Sequence, residues 1–208
     1  KKTIYVIIKK RRQHFLWPIC PLGQDSIFSG KRRGKNSMNN LVLCGFMGSG
    51  KTTVGKKMAK RLDLEFVNTD DIVEQLQQMP ISEIFQVFGE KFFRDLETRV
   101  CQETVKKQGQ LISVGGGTLE RNENVEIFRQ AGDTILFLNT PFEVCYNRIK
   151  GDRSRPVAMD KTKEELFSLY QRRYAQYMAA AELIITQADL KALLENPESS
   201  ENKKEDIT

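Results

Sequence analysis

Residues 41–52 read LVLCGFMGSGKT, a short apolar run followed by a glycine-rich turn that ends in Lys51 and Thr52. The last eight letters fit G-x-x-x-x-G-K-[ST] at every fixed position, and a helical pattern follows over residues 52–62. In a strand–loop–helix unit of this kind, glycines let backbone N–H groups surround phosphate oxygens, and the helix start adds partial positive charge. The stretch therefore predicts a nucleotide-binding loop, and this interpretation outweighs a chance glycine-rich turn.

The residue types of this loop indicate separate tasks. Lys51 is expected to reach the β- and γ-phosphates, and the Thr52 hydroxyl is expected to ligate Mg²⁺. Further contacts with the nucleotide are expected along the rest of the loop, at Gly48, Ser49, Gly50 and Thr53. The loop does not specify the acceptor, but the body of the chain has no N-K-x-D stretch, which argues against a GTPase switch.

Strand and helix patterns alternate along the body of the chain. Apolar runs predict strands at residues 41–45, 65–67, 111–114, 134–138 and 183–186. Helices are predicted at residues 52–62, 71–78, 82–88, 90–107, 122–131, 141–150, 163–181 and 190–195. Repeated βα units with apolar strands predict an α/β fold, in which a parallel sheet of about five strands is covered by helices on both faces.

Length and charge exclude several classes of function. The 208 residues, 39% of them hydrophobic, suffice for one domain with a substantial core. No apolar run approaches the ~18–20 residues of a membrane span. Residues 1–37 hold ten Lys/Arg and one acid, a net charge of +9, whereas residues 38–208 carry a net charge of −3. The mildly acidic body argues against a nucleic-acid partner, and nothing in the body predicts a membrane partner.

The cysteines and the histidine do not indicate a metal site. The four cysteines (Cys20, Cys44, Cys101 and Cys145) are widely spaced and match no zinc or disulfide pattern. Reduced, buried thiols in a cytosolic protein are the favoured interpretation. The single histidine, His14, lies in the basic arm, so a general base in the body has to be a carboxylate, a lysine or a tyrosine.

The domain is predicted to span residues 38–195. Residues 1–37 form a basic arm with three interpretations: a transit peptide that would direct the protein to an organelle, an arm for nucleic acid or a membrane surface, or upstream sequence before a natural start at Met38. We favour the last, because a complete domain pattern begins two residues after Met38. Residues 196–208 are polar and charged, which predicts a disordered tail.

Charged residues follow the second predicted strand, where ligands bind in open α/β sheets. Asp70 is the candidate for contact with an acceptor hydroxyl, and Asp71 is expected to cap the next helix or to face solvent. Thr69 and Asp70 are the other candidates for the cap. Arg94 and Glu97 lie three residues apart on a helix, and by themselves they indicate an ordinary surface ion pair.

The sequence allows two interpretations for each of two loops. The three glycines at 115–117 require either a tight turn or a close approach of the backbone to a ligand. Residues 151–157, GDRSRPV, fit a lid that closes Arg153 and Arg155 over phosphates, and they fit an exposed basic loop equally well. Arg173, on the helix that follows, lies by default on a solvated face.

The ordered series of motifs resembles the shikimate kinases over most of residues 40–195. The series comprises the glycine-rich loop, Asp70, IFQVFGEKFFRDLE (84–97), GGG (115–117), an Arg-Pro pair and RYAQY (173–177). The family pattern resembles I-x-x-I-F-x-x-x-G-E-x-x-F-R-x-x-E, and this chain matches it at Ile81, Ile84, Phe85, Gly89, Glu90, Phe93, Arg94 and Glu97. The resemblance implies a three-layer α/β/α sandwich, the P-loop kinase fold, with a mobile lid.

The resemblance also implies a reaction. It is the Mg²⁺- and ATP-dependent phosphorylation of the 3-hydroxyl of shikimate, on the route to chorismate and the aromatic amino acids, by a cytoplasmic monomer. The implied catalytic residues are Lys51, Asp70 and Arg155, with Asp70 as the candidate base. Arg94 and Arg173 correspond to the arginines that hold the shikimate carboxylate. The other correspondences are the glycines that bring backbone donors to the substrate (Gly115, Gly116 and Gly117), the lid arginine at the transferring phosphoryl group (Arg155) and the arginine near the adenine (Arg148).

Three positions depart from the family pattern. Asn68 replaces the first aspartate of D-T-D, which in the family supports Mg²⁺ through water. Gln78 stands where the family usually has glycine, and ITQADLKALLE (185–195) lacks the expected D-T pair. One alternative is a gluconate or nucleoside monophosphate kinase, but gluconate kinases carry a histidine that this body lacks. Another is a regulatory nucleotide-binding protein without turnover, towards which Asn68 alone points.

Overall fold

The computed structural model of the chain describes residues 39–152, 157–158 and 161–195. Four predictions lie outside these residues: the basic arm at 1–37, the start at Met38, the lid arginines Arg153 and Arg155, and the polar tail at 196–208. The domain boundaries drawn from the sequence therefore stay predictions.

The centre of the fold is a sheet of five parallel strands in the order β2-β3-β1-β4-β5. The strands are β1 (Leu41–Cys44), β2 (Glu65–Asn68), β3 (Gln110–Ser113), β4 (Thr134–Leu138) and β5 (Leu183–Ile185). All four residues of β1 are buried, and Leu41 pairs with Leu111 on one side and with Thr134 on the other. Because the strands are parallel, the loops that follow β1, β2 and β3 emerge side by side at one edge of the sheet. The predicted parallel sheet is confirmed.

Seven α-helices are described around the sheet. They are α1 (Lys51–Leu62), α2 (Thr69–Gln77), α3 (Ile81–Thr104), α4 (Asn122–Gln130), α5 (Phe142–Ile149), α6 (Lys163–Ala180) and α7 (Gln187–Glu195). The two helices predicted at 82–88 and 90–107 form one helical segment that is broken at Gly89, whose φ of 80° and ψ of 168° are not helical. A 3₁₀ helix at Thr118–Glu120 was not predicted. Within the described residues, no helix is both long and apolar enough to cross a membrane.

The packing of α6 carries a charged residue into the interior. The ring of Tyr170 lies 5.2 Å from that of Phe46, and the ring of Tyr177 lies 5.2 Å from that of Phe137 on β4. Positions 170, 173 and 177 share one helix face, since residues three and four apart are neighbours on a helix. Arg173 therefore lies inward between two anchored aromatic rings.

The described cysteines are free and buried, as their apolar surroundings predict. Burial raises the pKa of Cys44 to about 12 and that of Cys145 to about 11, although Lys51 opposes both increases. Burial also raises the pKa of the Cys101 thiol. These thiols are core residues and not nucleophiles.

Gln78 follows the last residue of α2 and adopts the left-handed conformation, with φ 53° and ψ 32°. The change Gln78→Gly is expected to raise the free energy of unfolding by about 0.5–1 kcal/mol, because glycine adopts this conformation without the steric cost of a Cβ. Urea denaturation measures the difference. The matched control is Gln75→Gly within α2, which should lower the same quantity by about 1 kcal/mol. Destabilisation by both changes would contradict the expectation.

Candidate active site

The glycine-rich loop connects β1 to α1 in a tight turn. The backbone N–H of Ser49 donates to the carbonyl of Phe46 at 3.1 Å. Gly48 and Gly50 have φ angles of 76° and 96°, which favour glycine. A side chain at Gly48 would also place its Cβ 2.7 Å from the carbonyl oxygen of Cys145 on α5. Conformation and space both require glycine at position 48.

Two groups of the loop are suited to bind an anion. The Nζ of Lys51 curls back and donates to the carbonyls of Gly45 at 2.8 Å and Phe46 at 3.2 Å. The hydroxyl of Ser49 is buried and has no hydrogen-bond partner among the described residues. A buried hydroxyl without a protein partner calls for a ligand or water, and a loop at a helix N-terminus favours phosphate.

Neighbouring segments hold the outer side of the loop. The hydroxyl of Thr140, after β4, donates to the carbonyl of Ser49 at 3.1 Å. Arg148 on α5 is exposed, and its Nη1 donates to the carbonyls of Gly48 at 3.0 Å and Ser49 at 3.3 Å. Arg148 therefore lies beside the loop, as a residue near the nucleotide must. The first turn of α1 leaves two side chains exposed, those of Thr52 and Thr53.

The two aspartates after β2 point to different neighbours. The helix begins at Thr69 with Asn68 in the capping position, and no side-chain hydrogen bond caps it. None of Thr69, Asp70 and Asp71 is therefore the cap, and Asp71 is exposed to solvent, the other placement expected for it. The Nδ2 of Asn68 donates to Oδ1 of Asp71 at 2.5 Å. Asp70 is partly buried, and a Cβ added at Gly115 would lie 2.8 Å from its Oδ1. Asp70 therefore lies at the glycine turn, and Asp71 is exposed beside Asn68.

Arg94 and Glu97 form a buried ion pair, not the surface pair that their spacing indicates. The Nη1 of Arg94 lies 2.6 Å from Oε2 of Glu97, and the two side chains are 11% and 2% exposed. Thr118 donates to the other oxygen of Glu97 at 2.7 Å, and Glu90 accepts from Nε and Nη2 of Arg94. Burial opposes the charge of Arg94, but Glu97 and Glu90 outweigh it and raise the pKa of Arg94 above its ordinary value. The guanidinium is charged and held in one direction.

The glycine turn after β3 lies between Arg94, Arg173 and the glycine-rich loop. A Cβ at Gly117 would lie 2.5 Å from Nη1 of Arg94. A Cβ at Gly116 would lie 3.4 Å from the backbone nitrogen of Met47, in the glycine-rich loop, and 3.6 Å from Nη1 of Arg173. The glycines therefore leave room for charged side chains at the edge of the sheet. The close approach of these side chains accounts for the three consecutive glycines better than the geometry of a turn alone.

Arg173 is buried, contrary to its default placement on a solvated face. Its side chain is 3% exposed, its Nε donates to Oε1 of Glu120, and its Cζ lies 6.0 Å from the centre of the Phe46 ring. The hydroxyl of Tyr177, one turn along α6, donates to the carbonyl of Gly116. Burial raises the pKa of Tyr177, so its hydroxyl keeps its proton. The helix and the glycine turn are locked together at this point.

The structure places the predicted residues in two adjoining groups. The first is the phosphate side, with Gly48, Ser49, Gly50, Lys51, Thr52, Thr53 and Arg148. The second is the acceptor side, with Asp70, Arg94, Gly115, Gly116, Gly117 and Arg173. Arg155 lies outside the described residues. Sequence reasoning missed four supporting residues: Thr118, Glu120, Thr140 and Tyr177. Only Tyr177 had a signal, since it follows Arg173 by four residues on the same helix face.

Gly117→Ala is expected to displace the guanidinium of Arg94, because the new Cβ would come within 2.5 Å of Nη1. We expect the KM for a carboxylate-bearing acceptor to rise about 10- to 100-fold, because a displaced guanidinium contributes less to binding the carboxylate. Steady-state kinetics measure the effect. Gly116→Ala is the matched control: its nearest contact would be 3.4 Å, so its KM should change far less. Equal effects of the two changes would contradict the expectation.

Comparison with known proteins gives one consistent result. Residues 47–203 match the family described as Shikimate kinase. The chain is 40% identical over 141 residues to the shikimate kinase of Persephonella marina, which covers 67% of this chain and 85% of the relative. It is 45% identical over 126 residues to that of Caldicellulosiruptor bescii, covering 61% and 73%. A solved structure of shikimate kinase from Acinetobacter baumannii in complex with shikimate is 31% identical, with a TM-score of 0.70 over 76% of this chain and 89% of that one.

Proposed function

Because the chain belongs to the shikimate kinase family, we propose that it transfers the γ-phosphoryl group of ATP to the 3-hydroxyl of shikimate. The product is shikimate 3-phosphate, an intermediate of chorismate and aromatic amino acid biosynthesis. One observation carries the proposal: Asp70, Arg94 and Arg173 meet at a glycine turn that adjoins the phosphate-binding loop. An acceptor held there lies next to the terminal phosphate of a nucleotide in the loop.

On the nucleotide side, this chain supplies positive charge and hydrogen-bond donors. Lys51 exchanges its two carbonyl contacts for the β- and γ-phosphates and offsets the charge that develops in phosphoryl transfer. The buried hydroxyl of Ser49 gains a phosphate partner. Arg148 borders the adenine side of the loop. The family resemblance assigns Arg155 to the transferring group, as a cation that closes over it.

On the acceptor side, two buried arginines face an acidic substrate. Arg94 and Arg173 hold the carboxylate of shikimate, a task that suits the planar fork of a guanidinium. Asp70 accepts a hydrogen bond from the acceptor hydroxyl and takes its proton as the phosphoryl group moves. Because phosphoryl transfer depends mostly on positioning and charge stabilisation, the site needs no histidine.

The residues beside the loop fit a magnesium ion that is shared with the nucleotide. Within the described residues, no group of three His, Cys, Asp or Glu side chains could hold a metal alone. Mg²⁺ often takes few protein ligands, because substrate phosphates and water supply the others. The exposed hydroxyl of Thr52 would be the direct ligand, with Asn68 reaching a metal-bound water. Bound there, Mg²⁺ would neutralise phosphate charge.

Asn68→Asp tests this arrangement. The change replaces the hydrogen bond between Asn68 and Asp71 by two adjacent carboxylates, which favour a nearby cation. We expect the Mg²⁺ concentration for half-maximal activity to fall about 3- to 10-fold, with tighter binding of Mg·ADP in calorimetry. Asp71→Asn, which leaves an amide next to Asn68, serves as the control. An unchanged magnesium requirement would make Asn68 a neutral substitution.

The decisive experiment is a coupled assay of ADP release. Shikimate, gluconate and several nucleoside monophosphates are compared as acceptors at saturating Mg·ATP. We expect turnover with shikimate alone, because among these acceptors only shikimate combines a carboxylate with hydroxyls on a rigid ring. A lack of shikimate-dependent ADP release would refute the proposal.

We further propose a cytoplasmic monomer. Among the described residues, those of the phosphate side and of the acceptor side adjoin one another within one chain, which supports a site that a monomer can form. The buried, free cysteines suit a reducing compartment. Sedimentation at micromolar concentration tests the oligomeric state.

A further inference from the structure

Arg173 is a buried cation with a single carboxylate beside it. Its side chain is 3% exposed, and its Nε donates to Oε1 of Glu120. In the part of the chain that the structure describes, Glu120 is the only hydrogen-bond acceptor that Arg173 contacts. Glu120 ends the 3₁₀ helix at Thr118–Glu120, directly after the three glycines. The orientation of the arginine therefore depends on this contact.

The hydrogen bond to Glu120 uses the Nε edge of the Arg173 guanidinium, and the terminal nitrogens remain on the side of the acceptor site. Nε donates to Glu120, Cζ lies 6.0 Å from the centre of the Phe46 ring, and Nη1 lies on the side of Gly116. A carboxylate is bound most strongly when it meets two guanidinium nitrogens at once. With Nε taken, the two terminal nitrogens Nη1 and Nη2 are the pair that can meet an acceptor carboxylate.

The two arginines of the acceptor side differ in charge balance. Arg94 is paired with two carboxylates, those of Glu90 and Glu97, so that this group has a net negative charge. Arg173 shares the single carboxylate of Glu120 with Arg172, whose Nη2 lies 3.6 Å from Oε2. This second group has a net positive charge. An anionic acceptor is therefore attracted mainly to the side that Glu120 organises.

We propose that Glu120 is a positioning residue that orients Arg173 for the carboxylate of the acceptor. It acts through Arg173 and touches neither substrate. The inference rests on the proposed function, since it takes the acceptor to be a carboxylic acid. It adds a determinant of acceptor specificity that lies on the 3₁₀ helix, outside the motifs of the sequence.

The negative charge of Glu120 has a second, opposing effect. A carboxylate near the acceptor carboxylate repels it, which weakens binding. Arg172 offsets part of this repulsion, although its side chain is 63% exposed and the pair is screened by water. The hydrogen bond to a buried guanidinium is the stronger effect, because it decides the direction in which a rigid donor pair points.

Two substitutions at position 120 distinguish the effect of side-chain length from the effect of the negative charge. Glu120→Asp keeps the charge and shortens the side chain by one methylene, so the contact with Nε is lost. Glu120→Gln keeps the reach and an accepting oxygen but removes the charge. We expect the KM for shikimate to rise about 10-fold in the aspartate variant and to stay within about 3-fold in the glutamine variant, with the KM for ATP unchanged in both. Glu123→Asp, an exposed residue of α4, is the matched control for shortening.

The methyl ester of shikimate distinguishes orientation of Arg173 from a purely structural role of Glu120, because a purely structural defect would raise the KM for the ester as much as the KM for shikimate. The ester has no carboxylate, so the orientation of Arg173 should no longer matter, and the penalty of Glu120→Asp should fall to less than about 2-fold. The proposal is overturned by an aspartate variant with an unchanged KM for shikimate, by an equal loss for ATP, or by the same penalty with the ester. A fall in melting temperature with unchanged KM would assign Glu120 to stability alone.

Turnover and binding of shikimate by the wild-type protein show whether a negative result refutes the proposed function or only the role of Glu120. If the wild-type protein does not turn over or bind shikimate in calorimetry, the proposed function fails and this inference fails with it. If the wild-type protein is active and both Glu120 variants match it, only the role of Glu120 is refuted.

Discussion

Lys51→Met should lower kcat by about 10²- to 10³-fold, because it removes the charge that reaches the transferring phosphates from inside the loop. The free protein should remain folded, because the hydrogen bonds from the Nζ of Lys51 to the carbonyls of Gly45 and Phe46 are local contacts within the loop. Methionine retains most of the length of the side chain. Steady-state kinetics with shikimate, together with thermal unfolding, measure both quantities.

Lys57→Met is the matched control for this experiment. Lys57 lies on the same helix, α1, and is exposed. The same chemical change there should leave kcat within about 2-fold, as is usual for an exposed side chain. A Lys51 variant with near wild-type turnover would show that the loop does not bind a reacting nucleotide.

Asp70→Asn is expected to have the second large effect, a loss of about 10²- to 10³-fold in kcat. The amide keeps the shape of the side chain and can still accept a hydrogen bond, but it cannot take the proton of the acceptor hydroxyl. The KM for shikimate should change much less than kcat, because the carboxylate contacts with Arg94 and Arg173 remain. Pre-steady-state mixing distinguishes slow chemistry from slow product release.

The neighbouring aspartate gives an internal comparison. Asp71 is exposed and accepts a hydrogen bond from Asn68, whereas Asp70 lies at the glycine turn. Asp71→Asn should therefore keep kcat within about 3-fold. If the two variants lose the same activity, the separate roles of the adjacent aspartates are refuted.

Much of the fold could be predicted from local patterns. The strands are continuous apolar runs, and the glycine-rich loop carries its own steric and electrostatic requirements, so its position between β1 and α1 follows from a dozen letters. The break of α3 at Gly89 also agrees with the two predicted helices. The cap of α2 was mispredicted, because several polar residues compete for one helix start and propensity alone does not choose among them.

The charged residues show where local reasoning fails. Spacing indicated a surface pair for Arg94 and Glu97, but Thr118 and the glycine turn cover them, and these come from a later part of the chain. The same limit applies to Arg173, because the apolar and polar residues of α6 are not clearly separated on two faces, so periodicity does not show which face packs on the sheet. The family resemblance assigned their roles, but it contained no information on burial.

The amino-acid sequence by itself determined the phosphate-binding loop and the parallel α/β order. The physical reason is that each depends on neighbours within a few positions along the chain. The tertiary structure alone decided which charges are buried, how Asp70 and Asp71 are separated, and that Glu120 meets Arg173 across 53 residues. Such contacts arise only when α6 and the 3₁₀ helix pack at one edge of the sheet, and no local pattern specifies them.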